Sequence, residues 1–298
     1  MSRIQEILKK AERDGGVHRT RAIVTDRPAT SVAHALVDTP PVSRVEAPVV
    51  DPPAIGFAPA TPVSPAVARH ASTHVDPRLV AANAPQSLAA EQYRLLRTRV
   101  TRAENGRAFR SIIITSPNKG DGKSLTAANL ALTMAQEFQQ RVLLIDCDLR
   151  RPSVHRLFGL TEGPGLGDVL MSAAELDHAL VALPEYHLTV LPAGLPPSRP
   201  AELLGSSAMR RILDTLRSRF DRILIDVPPV APLADLHILA PMVDGLLMIV
   251  RAGITPKPAI ERALSGLDMS KVLGLVLNAA GEPSGAGYGD DGYGYIAG

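Results

Sequence analysis

Six short runs of the chain are apolar almost throughout, and stretches of helical character separate them: residues 112–115, 142–145, 188–191, 223–225, 246–250 and 272–277. A strand with one face in water alternates polar and apolar residues, so continuous runs belong to a sheet covered on both faces. Helical patterns at roughly 123–138, 206–220, 233–241 and 258–269 supply the cover. This order of elements predicts an α/β domain over residues 86–281, a mostly parallel sheet with helices on both sides. With 45% of its residues hydrophobic, the 298-residue chain has ample material for that core.

Cys147 is the single cysteine, which excludes a disulfide framework and a cysteine-cluster metal site; it reads as a packed strand residue. The eight histidines show no metal-ligand spacing. The longest apolar stretch, 238–250, is broken by Asp244 and is too short to span a bilayer. The first ten residues, MSRIQEILKK, lack the apolar run of a signal peptide. A soluble cytoplasmic protein is expected, and a net charge of +2 gives no general attraction to nucleic acid.

The flanks differ from this domain. In residues 1–15, Ile4, Ile7, Leu8 and Ala11 fall at i, i+3, i+4 and i+7, predicting a short amphipathic helix. Such a helix is marginal alone, so its stripe docks on its own domain or meets a partner or a membrane surface. Residues 16–85 hold eleven of the 26 prolines and no lasting period, which predicts an extended, disordered tether. Residues 282–298 are rich in glycine and carry Tyr288, Tyr293 and Tyr295, three of the chain's five tyrosines. That glycine density predicts a flexible, exposed tail.

Directly after the first apolar run comes Ser116-Pro117-Asn118-Lys119-Gly120-Asp121-Gly122-Lys123-Ser124, with a helix expected from its end. Such a loop turns backbone N–H groups inward and caps a helix N-terminus, which favours a bound phosphate. Gly120 and Gly122 allow positive φ; Lys123 can reach the β and γ phosphates, and the Ser124 hydroxyl can bind Mg²⁺. Pro117 stands where the usual pattern has its first glycine. Lys119, Gly120, Asp121, Gly122, Lys123, Ser124 and Leu125 are the expected ATP contacts. The second run ends in Asp146-Cys147-Asp148-Leu149-Arg150-Arg151-Pro152, and the fourth in Asp226-Val227-Pro228-Pro229. Carboxylates at the C-terminal ends of parallel strands sit where such sheets place ligands. Opposite a triphosphate, Asp146 and Asp148 can divide the work of holding metal and accepting a proton, and Asp226 suits the metal side.

Together these motifs resemble the bacterial tyrosine kinases of capsule and exopolysaccharide synthesis, P-loop NTPases of the MinD/ParA-like superfamily. The resemblance runs from about Ser87 to Gly298 and includes Pro200-Ala201-Glu202-Leu203-Leu204, the run on to Asp235, and Asp244-Gly245. The N-terminal helix and proline-rich tether also resemble the exosortase-associated autokinase branch. The resemblance implies that Lys123 and Ser124 bind the phosphates and Mg²⁺, that Asp148 and Asp226 support the metal, and that Asp146 helps deprotonate a tyrosine hydroxyl. It makes Tyr288, Tyr293 and Tyr295 phosphoacceptors, modified in trans in a ring of subunits that phosphorylation disperses. It reads Glu91, Arg94 and Arg97, on one helical face, as the subunit contact; a solvated face is the plainer alternative. It further implies a membrane activator of the chain-length-determinant type, a tyrosine phosphatase that resets the cycle, and a place at the inner membrane through that activator.

The rival is a switch ATPase of the MinD/ParA type. Those relatives carry a lysine five residues before the loop lysine, where this chain has Asn118, and they give no reason for the tyrosine tail. Iron–sulfur carrier ATPases of the same fold need paired cysteines, and only Cys147 is present.

Overall fold

The computed structural model describes residues 75–103, 109–137, 140–230 and 235–280. The helix expected over 1–15, most of the tether and the tail with Tyr288, Tyr293 and Tyr295 lie outside the described residues.

Seven strands form one sheet: β1 Ser111–Thr115, β2 Val142–Asp146, β3 Val181–Leu183, β4 Leu188–Leu191, β5 Arg222–Asp226, β6 Gly245–Arg251 and β7 Val272–Asn278. Their order is β3-β4-β2-β5-β1-β6-β7, parallel throughout except for the β3–β4 pair. Each of the six apolar runs lies in a strand. β3 was not expected; its three residues are too few to show a period, and it forms only as an antiparallel edge on β4.

The helices are α1 Val80–Asn83, α2 Leu88–Ala103, α3 Lys123–Ala135, α4 Val154–Leu157, α5 Leu166–Leu170, α6 Leu176–Ala179, α7 Pro200–Leu204, α8 Ser207–Arg219, α9 Asp235–Leu239 and α10 Lys257–Ser265. The helix expected over 233–241 is cut to α9 by Pro241, and residues 240–242 continue as a 3-10 turn. Two apolar clusters cover the two faces of the sheet. Ile113, Leu143, Ile145, Ile223 and Ile225 point to one, and Ile112, Ile114, Leu144 and Leu224 to the other. Alternate residues of one strand thus both meet apolar layers, which is why the runs lack polar positions. No helix among the described residues is long and apolar enough to cross a membrane.

The tether ends earlier than its composition implied. Residues 75–84 pack on the domain, with Leu79 fully buried and Ala81 nearly so. Asp76 N donates to Leu157 O at 2.8 Å, and Ala81 N donates to Asn129 Oδ1 at 3.0 Å. Asn129 is buried in the middle of α3, and its Nδ2 donates to Arg78 O and Leu125 O, both at 3.1 Å. Residues 75–84 therefore belong to the domain, ahead of the boundary expected at 86; one Asn on a distant helix supplies partners that local composition cannot reveal.

Candidate active site

The phosphate loop runs from β1 to α3. Gly120 and Gly122 have φ of +90° and +95°, and Gly122 caps α3. A Cβ on Gly122 would stand 2.0 Å from Asn278 Nδ2, at the end of β7. That amide donates to Asp121 O at 2.9 Å. Asp121 itself is buried: one carboxylate oxygen accepts from Asn118 N at 2.9 Å, and the other from Thr255 Oγ1 at 2.7 Å. Arg251 Nη1 adds a bond to Gly120 O at 3.2 Å. Asp121 thus shapes the loop rather than lining the cleft, and residues 131 to 157 positions downstream hold it in place. Replacing Gly122 by Ala forces φ strain and displaces Asn278 together. We expect ATP affinity to fall about tenfold or more, with roughly 1–3 kcal/mol of stability lost; isothermal titration and chemical unfolding would measure the two.

Lys123 opens α3 and reaches back over the sheet edge. Its Nζ lies 3.1 Å from Asp148 Oδ2, 3.3 Å from Asp226 Oδ1 and 3.1 Å from Ser124 Oγ. Asp146 and Asp226 are register partners on adjacent strands, so the strand ends alone bring these groups together. Burial disfavours the charge on Lys123, yet the surrounding Asp226, Asp148 and Asp146 outweigh it and raise the ammonium above its ordinary range.

The two carboxylates after β2 are held differently. Asp146 is fully buried; Oδ1 accepts from Asp148 N, and Oδ2 accepts from Ser153 N and Val154 N, each at 3.0 Å. Asp148 lies at the cleft, accepts from Arg151 N at 3.0 Å and keeps its other oxygen on Lys123. Burial, and then the charge of Asp226, push the Asp146 carboxyl up to about 7. Asp226 is raised as well, first by burial. The metal-free folded protein therefore keeps a proton on Asp146 that the unfolded chain releases near pH 4. This stabilisation is complete below about pH 4 and lost as pH rises through about 7. His155, lowered mainly by burial, works the other way through a smaller shift. The thermal midpoint in the presence of a chelator should accordingly fall between pH 5.5 and pH 8, as read by differential scanning fluorimetry.

A cleft of about 890 Å³ opens over these groups. Lys119, Gly120, Gly122, Lys123, Ser124 and Leu125 line one part of it, and Asp148, Arg150, Arg151, Pro152, Ser153 and Arg156 another, with Pro228 and Pro229. Among the described residues no group of three or more His, Cys, Asp or Glu could hold a metal unaided. The donors present are the Ser124 hydroxyl and the Asp148 and Asp226 carboxylates. They fit Mg²⁺, which takes one or two carboxylates and completes its shell with water and substrate phosphates.

Arg150 Nε donates to Asp235 Oδ2 at 3.2 Å, tying the turn after β2 to the start of α9. Sequence reasoning gave no role to Arg150, Arg151 or Arg156; the only signal was the Arg-Arg pair after the Asp-Cys-Asp motif. Glu91, Arg94 and Arg97 do not stay together. Arg94 pairs with Glu91 on α2, whereas Arg97 turns inward, with Nε 3.0 Å from Glu137 Oε1 and Nη1 donating to Thr133 O at 2.8 Å.

A glycine-capped phosphate loop between the first strand and a helix, faced by carboxylates on neighbouring strand ends, defines a P-loop nucleotide-binding α/β protein. The AAA domain signature matches residues 110–252, in agreement. The tyrosine-protein kinase YwqD of Bacillus subtilis is 40% identical over 202 residues, covering 67% of this chain and 85% of that protein. The kinase domain of the Escherichia coli tyrosine kinase ETK superposes with a TM-score of 0.68 at 28% identity, over 76% of this chain and 88% of that one. The chimerical protein CapA2B2 superposes with a TM-score of 0.64 at 30% identity, over 68% and 89%. The chain belongs to the bacterial tyrosine-protein kinase family.

Proposed function

We propose that this protein is an autokinase that transfers the γ-phosphoryl group of ATP to tyrosines in the tail of a second copy, in exopolysaccharide polymerisation and export. The observation that carries the reading is the convergence of Lys123, Ser124 and Asp148 on one cleft in a tyrosine kinase fold, with Asp226 buried against Lys123, joined to a tail holding Tyr288, Tyr293 and Tyr295.

In this mechanism the loop N–H groups and Lys123 hold the phosphates, and Ser124, Asp148 and Asp226 hold Mg²⁺. The ion neutralises charge on the transferring phosphoryl group and its leaving oxygens. The tyrosine oxygen forms a bond to the γ phosphorus as the bond to the β-bridging oxygen breaks, and the phenolic proton passes to Asp146, which the charge of a bound Mg²⁺, added to that of Lys123, would hold ionised. A carboxylate offers about four acceptor positions; three on Asp146 serve backbone N–H groups, leaving one on Oδ1. Placement and charge complementarity supply most of the catalysis.

The α2 surface supports a subunit contact. Leu88 and Leu95 are exposed one heptad apart, with Glu91 between them on the same face. Arg97 is committed within the subunit, so the contact uses Glu91, Arg94 and these leucines. Adding phosphates to the tail would repel it from any acidic part of such an interface and so disperse the ring. A chain-length-determinant membrane protein as activator, a phosphatase that resets the cycle, a location at the inner membrane and a place in the exosortase-associated branch complete the proposal.

The test is peptide mass spectrometry after incubation with Mg·ATP, with and without the cytoplasmic segment of a candidate activator. Phosphate on Tyr288, Tyr293 or Tyr295 is expected. ATP consumption without tyrosine phosphate under both conditions would replace this reading with a switch ATPase.

A further inference from the structure

The turn that follows β2 and the helix α4 after it carry two guanidinium groups at the cleft that the proposed ATP chemistry leaves unused. Arg151 and Arg156 are both exposed and both line the cleft, and among the described residues neither has a side-chain partner, whereas Arg150 between β2 and them is tied to Asp235. Their backbone is not free to drift. Asp148 accepts from Arg151 N, and Asp146 accepts from Ser153 N and Val154 N at the start of α4, which bears Arg156. The carboxylates of the reaction centre thus fix the position of the basic edge.

This edge stands apart from the phosphate loop. β5 lies between β1, which feeds the loop, and β2, which feeds the turn. At strand spacings of about 4.8 Å, the two are roughly 10 Å apart where they leave the sheet. The tail carries one acidic pair, Asp290-Asp291, two and three residues after Tyr288 and equally far before Tyr293. An extended chain covers about 7–10 Å in that interval. A tyrosine placed at the phosphates therefore sets the acidic pair at the distance of the arginines, whichever of the two tyrosines is in the site.

We propose that Arg151 and Arg156 are positioning residues for the acceptor: they bind Asp290 and Asp291 of a second copy and so select Tyr288 and Tyr293 over Tyr295, which is four and five residues from the acidic pair. The inference rests on the tail being the acceptor, as proposed above. Charge at the edge of a site acts mainly on encounter and register, so its mark is on kcat/KM for the acceptor rather than on the affinity for ATP.

The experiment uses two full-length chains. The acceptor carries Lys123→Met and cannot phosphorylate itself; the donor carries Tyr288→Phe, Tyr293→Phe and Tyr295→Phe. Arg151→Glu with Arg156→Glu in the donor should lower kcat/KM for transfer to Tyr288 and Tyr293 about tenfold or more, with the KM for ATP unchanged and a smaller loss at Tyr295. An acceptor with Asp290→Lys and Asp291→Lys should be poor with the unaltered donor and recover most of the loss with the Glu donor. Both arginines are exposed, and an unchanged melting temperature would show that the donor is folded. A loss indifferent to acceptor charge, or one carried wholly by the KM for ATP, overturns the proposal and assigns the arginines to the nucleotide. Absence of transfer between the unaltered donor and acceptor would instead bring down the autokinase reading; binding of a synthetic 282–298 peptide to the full chain, measured by fluorescence anisotropy with the same charge swap, then decides the docking separately. Charge-matched binding supports it, and binding unaffected by the swap overturns it.

Discussion

Replacing Lys123 with Met should all but abolish tyrosine phosphorylation, lowering the rate by about a hundredfold to a thousandfold, while the sheet and its helices stay in place. In the proposed mechanism Lys123 holds the phosphates and supplies charge to a transition state built on positioning and electrostatics, where losing one preorganised donor costs about 10²–10³ in rate. The variant also has a cost in the nucleotide-free protein. The ammonium lies within 3.1–3.4 Å of Asp148 and Asp226, and its methionine replacement leaves Asp146, Asp148 and Asp226 without a counter-charge. Removing one partner of a buried pair costs about 3–5 kcal/mol when the other must stay charged. Protonation of Asp226 and Asp146, both already raised, limits the loss. Stability should therefore drop at pH 8 and approach that of the unaltered protein near pH 5, as urea unfolding at the two pH values would show. A variant that kept tyrosine phosphorylation would remove Lys123 from the mechanism.

Two further substitutions separate carboxylates that look alike in the sequence. Asp146→Ala and Asp148→Ala should both abolish phosphorylation, but the first should unsettle the fold more. Asp146 accepts from three backbone N–H groups in a fully buried setting. Each buried donor left unsatisfied costs about 1–3 kcal/mol. Relief of the charge beside Asp226 returns part of this, so a net loss of about 3 kcal/mol is expected. Asp148 accepts from one backbone N–H, of Arg151, and its other oxygen faces Lys123 at the cleft. Its removal leaves Lys123 paired with Asp226 and one N–H unmet, so unfolding should show a loss of about 1–2 kcal/mol, smaller than that of Asp146→Ala. Equal destabilisation by both would show that the turn after β2 does not hang on Asp146.

The parts of this protein that sequence reading reached are those where physics acts locally. Apolar runs without alternation mark strands such as β2 and β5 before any contact is known, because a strand covered on both faces has no place for a polar residue. The loop from Ser116 to Ser124 is equally readable: glycine permits positive φ, and Lys-Ser follows at the helix start. The reading failed where a distant residue supplies the missing partner. Residues 75–84 resemble tether in composition, yet Asn129 binds their backbone groups. Arg97 looks like a companion of Arg94 on a helical face, yet Glu137 and Thr133 O take it inward. β3 is a strand only because β4 offers it an edge.

By itself the sequence determined the α/β alternation, the phosphate loop, and the two strand ends that carry Asp146, Asp148 and Asp226, since each follows from periodicity, backbone freedom or the end of an apolar run. Only the tertiary structure decided what each charged group does. Asp146 and Asp148 are two residues apart on one strand end, but one points into a nest of backbone N–H groups and the other into the cleft. Asp121 and Asn278 are separated by most of the domain and still fix one loop. A charge has no role until its surroundings set its partners and its desolvation, and those surroundings come from residues far away in the chain.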